Sequence, residues 1–433
     1  MRPELLYYDV TPKVLRADRE AEVQIRPLFD HCRLDAGLEY AVSYFPAEEL
    51  AQRSGWPGNC RSTVKPSDGA LHIRRYFEGE QEHVFLVEQV TGQTRRRVGE
   101  FRLYSLEDDL HARKPYKGDV HIHSCRSDGV ESPGYVPGAC RRIGMDFMAL
   151  TDHRRYEPSL EAQRAYEGVD IDLRIYPGEE VHPPESPVHI VNFGGRFGLT
   201  ELFGQKERYL AQVREIQQGL GSLPPGVDPY QYASCLWCFD RIREAGGLGV
   251  FCHPYWFTDN RYAPSGAITS HLLATQPFDA YEVIGGYDLD AVDSNTLQAA
   301  RYHEERAAGR RMPIVGASDA HGCEKGSLFG WYYTIVFAPS TDLPDIIESV
   351  KQLYSVAVEA LAGAPARAYG PFRLVKYALF LLREVMPLHD QMCREEGQLM
   401  LAHLAGRSDA AARLSELKGR ASAFLNRCWG GLR

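Results

Sequence analysis

The chain has no apolar run of about 18 residues, so it encodes no helix able to cross a bilayer. Its first ten residues, MRPELLYYDV, lack the apolar stretch of a secretory signal. There is no surplus of positive charge: 49 Lys and Arg stand against 58 Asp and Glu, a formal balance of −9. A duplex nucleic-acid binder needs a basic face to release counterions, so that class is disfavoured. A small anionic substrate is not, because bound metal ions reverse the local sign. Ten cysteines in 433 residues are too sparse for a disulfide framework and suit reduced thiols in a cytoplasmic setting. No internal repeat or low-complexity tract appears, and nothing in the pattern speaks to oligomeric state. What is present is a 44% hydrophobic chain long enough for two or three domains.

The first 110 residues carry short alternating stretches at 21–26 (AEVQIR), 71–77 (LHIRRYF), 83–88 (HVFLVE) and 99–104 (GEFRLY). Turn signals lie at 56–59 (WPGN), 67–69 (SDG) and 91–92. Short strands with regular turns predict an all-β sandwich over 1–110. The charged stretch 107–117 reads as a linker. From 118 the pattern becomes apolar runs alternating with helical stretches. Strands are expected at 119–122, 147–150, 173–176, 188–193, 248–251, 280–284, 314–317 and 333–337. Helices are expected near 134–144, 206–219, 231–245, 294–308 and 342–350. That alternation predicts an α/β domain with a parallel sheet covered on both faces, and the number of units suits a TIM-like barrel over 118–340. Residues 341–433 show helical spacing at 377–386 and 391–404 and are expected to form a helical appendage packed on the barrel. The Gly/Pro-rich segment 195–230 is long enough for a lid.

Metal-type ligands cluster at the ends of these strands. The first runs into His121 and His123, followed by Ser127-Asp128-Gly129; residues two apart on a strand share a side and can grip one ion. The second ends Thr151-Asp152-His153 and the third Gly178-Glu179-Glu180-Val181-His182. His189 opens the fourth, which places it at the mouth only if that strand's boundary or direction differs from the expected one. The fifth ends Cys252-His253-Pro254 and the seventh Asp319-Ala320-His321. In a TIM-like barrel the C-terminal strand ends share one mouth. Imidazole with carboxylate suits Zn, Mn or Fe and argues against Ca.

This ordered set, HxH with SDG, then TDH, GxE, CHP and DxH, resembles the PHP family, named for polymerase and histidinol phosphatase. The resemblance spans about 118–340 and leaves 1–110 uncovered. It implies a distorted (β/α)7 barrel with two or three divalent transition-metal ions and phosphoesterase activity. The implied ligands are His121, His123, Asp128, His153, Glu180, His189, His253, Asp319 and His321. Glu179 and Glu180 point to opposite sides of a strand, so one of them bridges; Glu180 fits the family's spacing from Gly178. His182 rivals His189 as a ligand or touches substrate.

Such a site carries −3 from its carboxylates against about +6 from three divalent ions, a surplus that favours a phosphate ester. A hydroxide held between two ions about 3.5–4 Å apart is a nucleophile at neutral pH. Asp152 precedes a ligand histidine and is a candidate catalytic carboxylate that orients it, as is Glu282. Arg154 and Arg155 follow His153 and suit phosphate, with Arg154 the nearer to the chemistry; Lys325 follows the last ligand pair. Tyr255 and Trp256 either stack on a base or pack over the rim. Cys235 and Cys238 have zinc-like spacing but no second pair, and read as buried thiols; Cys125 reads as packing. The expected activity is hydrolysis of a small phosphomonoester, nucleotide or short oligonucleotide. The alternative is an amide or lactone hydrolase on the same scaffold.

Overall fold

A computed structural model describes residues 1–48 and 61–431, apart from the Asp290 side chain. The turn expected at 56–59 lies outside the described residues. The chain divides into two compact units. One comprises Met1–Lys114, Lys376–Met392 and Gly419–Arg433; the other comprises Pro115–Val375 and Cys393–Lys418.

The first unit is a β-sandwich with helices. A three-stranded antiparallel sheet joins Tyr8–Thr11, Arg19–Pro27 and Leu71–Phe77. A five-stranded sheet orders Val14–Arg16, Thr94–Leu106, Glu82–Thr91, Glu39–Pro46 and Arg61–Val64. Alternate residues point inward: on Glu82–Thr91, His83, Phe85 and Val87 are buried while Val84 and Leu86 are only half-buried. The inward rows of both sheets share one core containing Val23, Ile25, Val42, Ile73, Phe85, Val87 and Phe101. The 67–69 turn is closed by Asp68 and Gly69, both at positive φ, and Gly92 sits at positive φ in the hairpin between the long strands. The stretch 107–117 is not an irregular linker: it holds the helix Asp108–His111 and the start of the strand Lys114–Asp119. Arg16 and Arg19 both pair with Asp108, which ties that helix to the sandwich.

The second unit is mixed α/β. Its six-stranded sheet runs Arg174–Tyr176, Phe147–Ala149, Lys114–Asp119, Tyr332–Ala338, Ser355–Glu359 and Arg367–Tyr369. Its five-stranded sheet runs Gly178–Val181, Ile190–Phe193, Leu248–Phe251, Ala280–Gly285 and Ile314–Ala317. The two sheets share one apolar core: Val120, Phe147 and Val336 from one side meet Val191, Val250, Ala280 and Val315 from the other. Isolated parallel bridges, Ile122 to Ala320 and His153 to Glu180, link segments of the two. The sheet is not the all-parallel one expected. Ile190–Phe193 is antiparallel to both its neighbours, and Ser355–Glu359 is antiparallel to Tyr332–Ala338. The first strand ends at Asp119, earlier than expected. Segment 195–230 contains the helix Lys206–Gly219, where a helix was expected.

Residues 341–433 are not a single helical body. The strands Ser355–Glu359 and Arg367–Tyr369 extend a sheet of the second unit, and the helix Met386–Leu404 is divided between the units at Met392. Within the second unit, Arg141 is almost wholly buried and bonds Glu396 on that helix at 2.6 Å and Asp146 at 3.0 Å. Gly397 allows the close approach, since a Cβ there would lie 2.2 Å from the Arg142 nitrogen. Cys235 and Cys238 lie buried on the helix Pro229–Glu244. Burial pushes the Cys235 thiol up to about 12 and the Cys238 thiol well above the usual range, so neither is a ready thiolate. The described cysteines are free. Among the described residues no helix is long and apolar enough to cross a membrane.

Candidate metal centre

The loop after Asp119 carries His121 and His123, whose ring centroids are 5.2 Å apart. They lie past the strand end, held by the Ile122 bridge rather than by a continuous ladder. Asp119, which sequence reasoning did not single out, braces this turn: its Oδ1 accepts from the backbone nitrogens of His121 at 3.2 Å and Ser318 at 3.1 Å. Burial raises its carboxyl to about 7. The signal available in the sequence was an acidic residue two positions before a ligand.

Glu180 is the hub. Its Oε2 lies 2.5 Å from His153 Nδ1, 3.4 Å from His121 Nε2 and 3.5 Å from His123 Nε2. Its Oε1 lies 2.7 Å from His189 Nδ1, 3.1 Å from His253 Nε2 and 3.5 Å from His182 Nε2. Asp319 Oδ1 closes the inner group, 2.8 Å from His123 Nε2 and 3.2 Å from His121 Nε2. An outer group forms on the other side of His123: Asp128 carboxylate oxygens stand 3.4 Å from His153 Nε2 and 3.3 Å from His321 Nε2. The structure therefore brings together every residue of the implied ligand set, and His182 with them.

The antiparallel direction of Ile190–Phe193 explains His189. Its entry end, not its exit end, lies beside Glu180 and His253. His182 and His189 stack ring on ring, 3.7 Å between centroids, and both face Glu180 Oε1. Glu179 faces the other way. Its carboxylate accepts from the backbone nitrogens of Leu199 and Thr200 and from Asn192 Nδ2.

Electrostatics show how strongly the groups depend on one another. Burial alone would raise Glu180, but the imidazoles of His121, His153 and His182 beside it hold it well below the carboxylate range. Asp319 is likewise depressed against burial, by His121 and His123. Burial pushes His189 down to about 4, favouring the neutral, ligating form. His121 Nε2, Glu180 Oε2 and His189 Nδ1 are buried without a hydrogen-bond partner among the described residues. Orphaned imidazole and carboxylate atoms facing one another are the donor set of a divalent transition metal, so these residues fit such ions. His253 and Asp319 both adopt positive φ, which is local strain placed at two residues of the implied ligand set.

One residue expected to act on the chemistry is placed differently. Among the described residues the Asp152 carboxylate bonds to no imidazole. Its carboxylate accepts from the nitrogen and hydroxyl of Ser124 at 3.0 Å and from those of Ser127 at 2.9 and 2.7 Å, fixing the loop that carries Asp128. Tyr255 is half-buried: its backbone is held by the Tyr287 hydroxyl and by Ser294, and its ring packs edge-on against Tyr262, the second of the two placements expected for it. Glu282 has the orienting role instead, with Oε2 3.2 Å from His121 Nδ1 and Oε1 3.2 Å from the His253 nitrogen. Arg154, Arg155 and Lys325 are exposed, and among the described residues none pairs with a carboxylate. Arg154 takes positive φ while its backbone nitrogen donates to the Glu180 carbonyl at 2.9 Å.

No family model matches the chain. An uncharacterized protein of Methanocaldococcus jannaschii is 22% identical over 190 residues, covering 41% of this chain and 87% of that one. Among solved structures, a two-domain protein of Bacteroides vulgatus described as containing a predicted PHP-like metal-dependent phosphoesterase is 18% identical, with a TM-score of 0.37. That match covers 57% of this chain and 65% of the other. A sulfate-bound, metal-free amidohydrolase of Chromobacterium violaceum is 20% identical with a TM-score of 0.29, covering 47% and 87%. At these scores the superpositions are partial, and the chemistry of the site stands on its own residues.

Proposed function

We propose that the second unit is a metal-dependent phosphoesterase of the PHP type on a distorted TIM-like barrel. Its substrate is a small phosphorylated compound. The observation that carries this reading is the convergence of His121, His123, His153, His189, His253 and His321 with Asp128, Glu180 and Asp319 around a buried hub.

Bound divalent ions would polarise a phosphoryl oxygen and acidify a water. The protein's own residues do the rest. Glu180 stands between the inner and outer groups, so it fixes their spacing. Glu282 holds the proton on His121 Nδ1 and leaves Nε2 as the donor atom toward Glu180 and Asp319. Asp152 clamps the 124–127 loop, which positions Asp128 at the open side. Arg154 and Arg155 lie in the loop after His153, exposed and without a carboxylate pair among the described residues, and suit a doubly charged phosphate. Three carboxylates leave a net positive field once two or more divalent ions are bound, which favours an anionic over a neutral substrate.

The test is a panel of phosphate mono- and diesters assayed on the full chain with Mn, Zn or Fe, beside amide and lactone substrates. Metal-dependent turnover of a phosphate ester supports the reading. Turnover confined to amides or lactones replaces it with hydrolysis of those bonds.

A further inference from the structure

A cavity of about 570 Å³ opens beside the metal centre, lined by Trp256, Phe257, Tyr262, Tyr287, Asp288 and Asp293. No Lys or Arg lines it. Three of its aromatic rings belong to the hairpin Trp256–Thr258 and Arg261–Ala263, and they are exposed at 43, 55 and 41% for Trp256, Phe257 and Tyr262. Large apolar rings held out to solvent at this level call for an occupant. The cavity lies beside the implied ligands. Trp256 has its ring centroid 6.0 Å from that of His189. Gly286, also in the lining, sits so close that a Cβ there would meet His253 Cβ at 3.2 Å and Asp319 Oδ2 at 3.6 Å. Positive φ at Gly286 makes any side chain strained as well, so glycine lets this wall of the cavity pack closely against His253 and Asp319.

The lining chemistry is selective. Aromatic faces attract cations through their quadrupole, most strongly where water is displaced. Asp288 and Asp293 add negative charge, and neither pairs with a cation among the described residues. A second phosphate would be repelled there. We propose that this cavity binds an organic cation, a quaternary or alkylated ammonium group, carried by the alcohol portion of the phosphate ester that the metal centre receives. The substrate is then zwitterionic, with its phosphate on the metal side of Gly286 and its ammonium among the rings. This inference rests on the phosphoesterase reading for the phosphate half only.

The closing experiment separates the two. Choline and its uncharged isostere 3,3-dimethylbutan-1-ol are titrated into the full chain by calorimetry. In parallel, 4-nitrophenyl phosphorylcholine and 4-nitrophenyl 3,3-dimethylbutyl phosphate are compared as Mn-dependent substrates. In both esters water adds to phosphorus, the aryl P–O bond breaks and nitrophenolate leaves, so the only difference is the charge on the other alcohol. Choline should bind at least about tenfold tighter than the isostere, and the choline ester should show a kcat/KM advantage of similar size. Trp256→Ala and the double variant Asp288→Asn with Asp293→Asn should each reduce both preferences toward unity. Equal binding of choline and isostere, or a preference untouched by those substitutions, overturns the inference. Selective choline binding with no hydrolysis of either diester, nor of the monoesters phosphocholine and 3,3-dimethylbutyl phosphate assayed beside them, keeps the cavity's assignment and removes the phosphoesterase reading. Hydrolysis of both esters at equal efficiency, without choline selectivity, does the reverse.

Discussion

Glu282 Oε2 lies 3.2 Å from His121 Nδ1 while its Oε1 lies 3.2 Å from the backbone nitrogen of His253, so one carboxylate braces two residues of the implied ligand set that follow strands of different sheets. Both partners donate, and only a carboxylate accepts from both at once. Glutamine offers a single carbonyl oxygen and turns an N–H toward the other donor. Glu282→Gln should therefore keep the fold and weaken metal affinity by roughly 10–100-fold, the usual cost of losing an orienting partner. Metal titration of the apo protein followed by calorimetry measures this; unchanged affinity would mean that His121 is oriented by packing alone.

The adjacent pair Glu179 and Glu180 gives a sharper comparison. Glu180→Gln should abolish or greatly reduce metal content with little loss of secondary structure, because its oxygens face imidazoles. Glu179→Gln should leave metal content near normal and cost about 1–3 kcal/mol of stability, because its oxygens satisfy Leu199, Thr200 and Asn192 in the core. Elemental analysis and denaturant unfolding on both variants check the contrast. The reverse pattern would exchange the two roles.

How far the sequence alone carried depends on the range of each signal. Ligand types and order were legible because each strand end has a short local pattern. The face of the Glu179/Glu180 pair was legible because period-two alternation forces neighbours apart. The direction of Ile190–Phe193 was not, since an antiparallel buried strand has the same apolar composition as a parallel one. That direction decided whether His189 reached the site. Ser355–Glu359 was missed because a short buried strand, SVAVE, is overshadowed by the helical run after it. The tasks of Asp152 and Tyr255 depended on partners that no spacing rule names: two serines of a neighbouring loop for one, Tyr287 and Ser294 for the other.

Exposure grades the two halves of the centre. Glu180 and His121 side chains are fully buried, whereas Asp128 is 57% exposed and His321 36%. An ion held by Asp128, His153 and His321 should leave first under chelation. Loss of metal into EDTA, followed by elemental analysis over time, should be biphasic, and Asp128→Ala should remove the fast phase alone. A single phase in wild type would mean one kinetically uniform site.

The sandwich unit makes a separate pH prediction. His83 is buried between the Tyr44 hydroxyl, 2.8 Å from Nδ1, and Ser105 Oγ, 2.7 Å from Nε2. Burial lowers its pKa from near 6.5 to about 4. Above pH 6.5 both folded and unfolded forms hold it neutral, so its contribution is intact. Between 6.5 and about 4 the unfolded chain binds the proton first, and stability falls by roughly 3 kcal/mol over that window. Below about 4 the contribution is flat. Denaturant unfolding at a series of pH values should show this decline in wild type and a shallower one in His83→Gln; equal slopes would locate the acid sensitivity elsewhere.

Binding and chemistry can be told apart at the rim. His321 faces Asp128 in the outer group, and its Nδ1 is fixed by the Asp319 carbonyl at 2.8 Å, so its Nε2 is the free donor. Removing it should disturb how an outer ion sits without touching the buried hub. His321→Ala should then lower kcat on the best phosphate ester by roughly a hundredfold or more, on the order of 3 kcal/mol of transition-state stabilisation. Arg154 is exposed, pairs with no carboxylate among the described residues and reaches no ligand side chain. Arg154→Ala should leave metal content intact and act mainly through KM, with a larger rise for phosphate monoesters, which carry the extra charge, than for diesters. Steady-state kinetics on one monoester and one diester, with metal content measured for each variant, distinguish the two effects. Near-normal kcat in His321→Ala would take the outer group out of the reaction, and an equal KM rise for both ester classes would assign Arg154 to the rim's general positive field rather than to the phosphate itself.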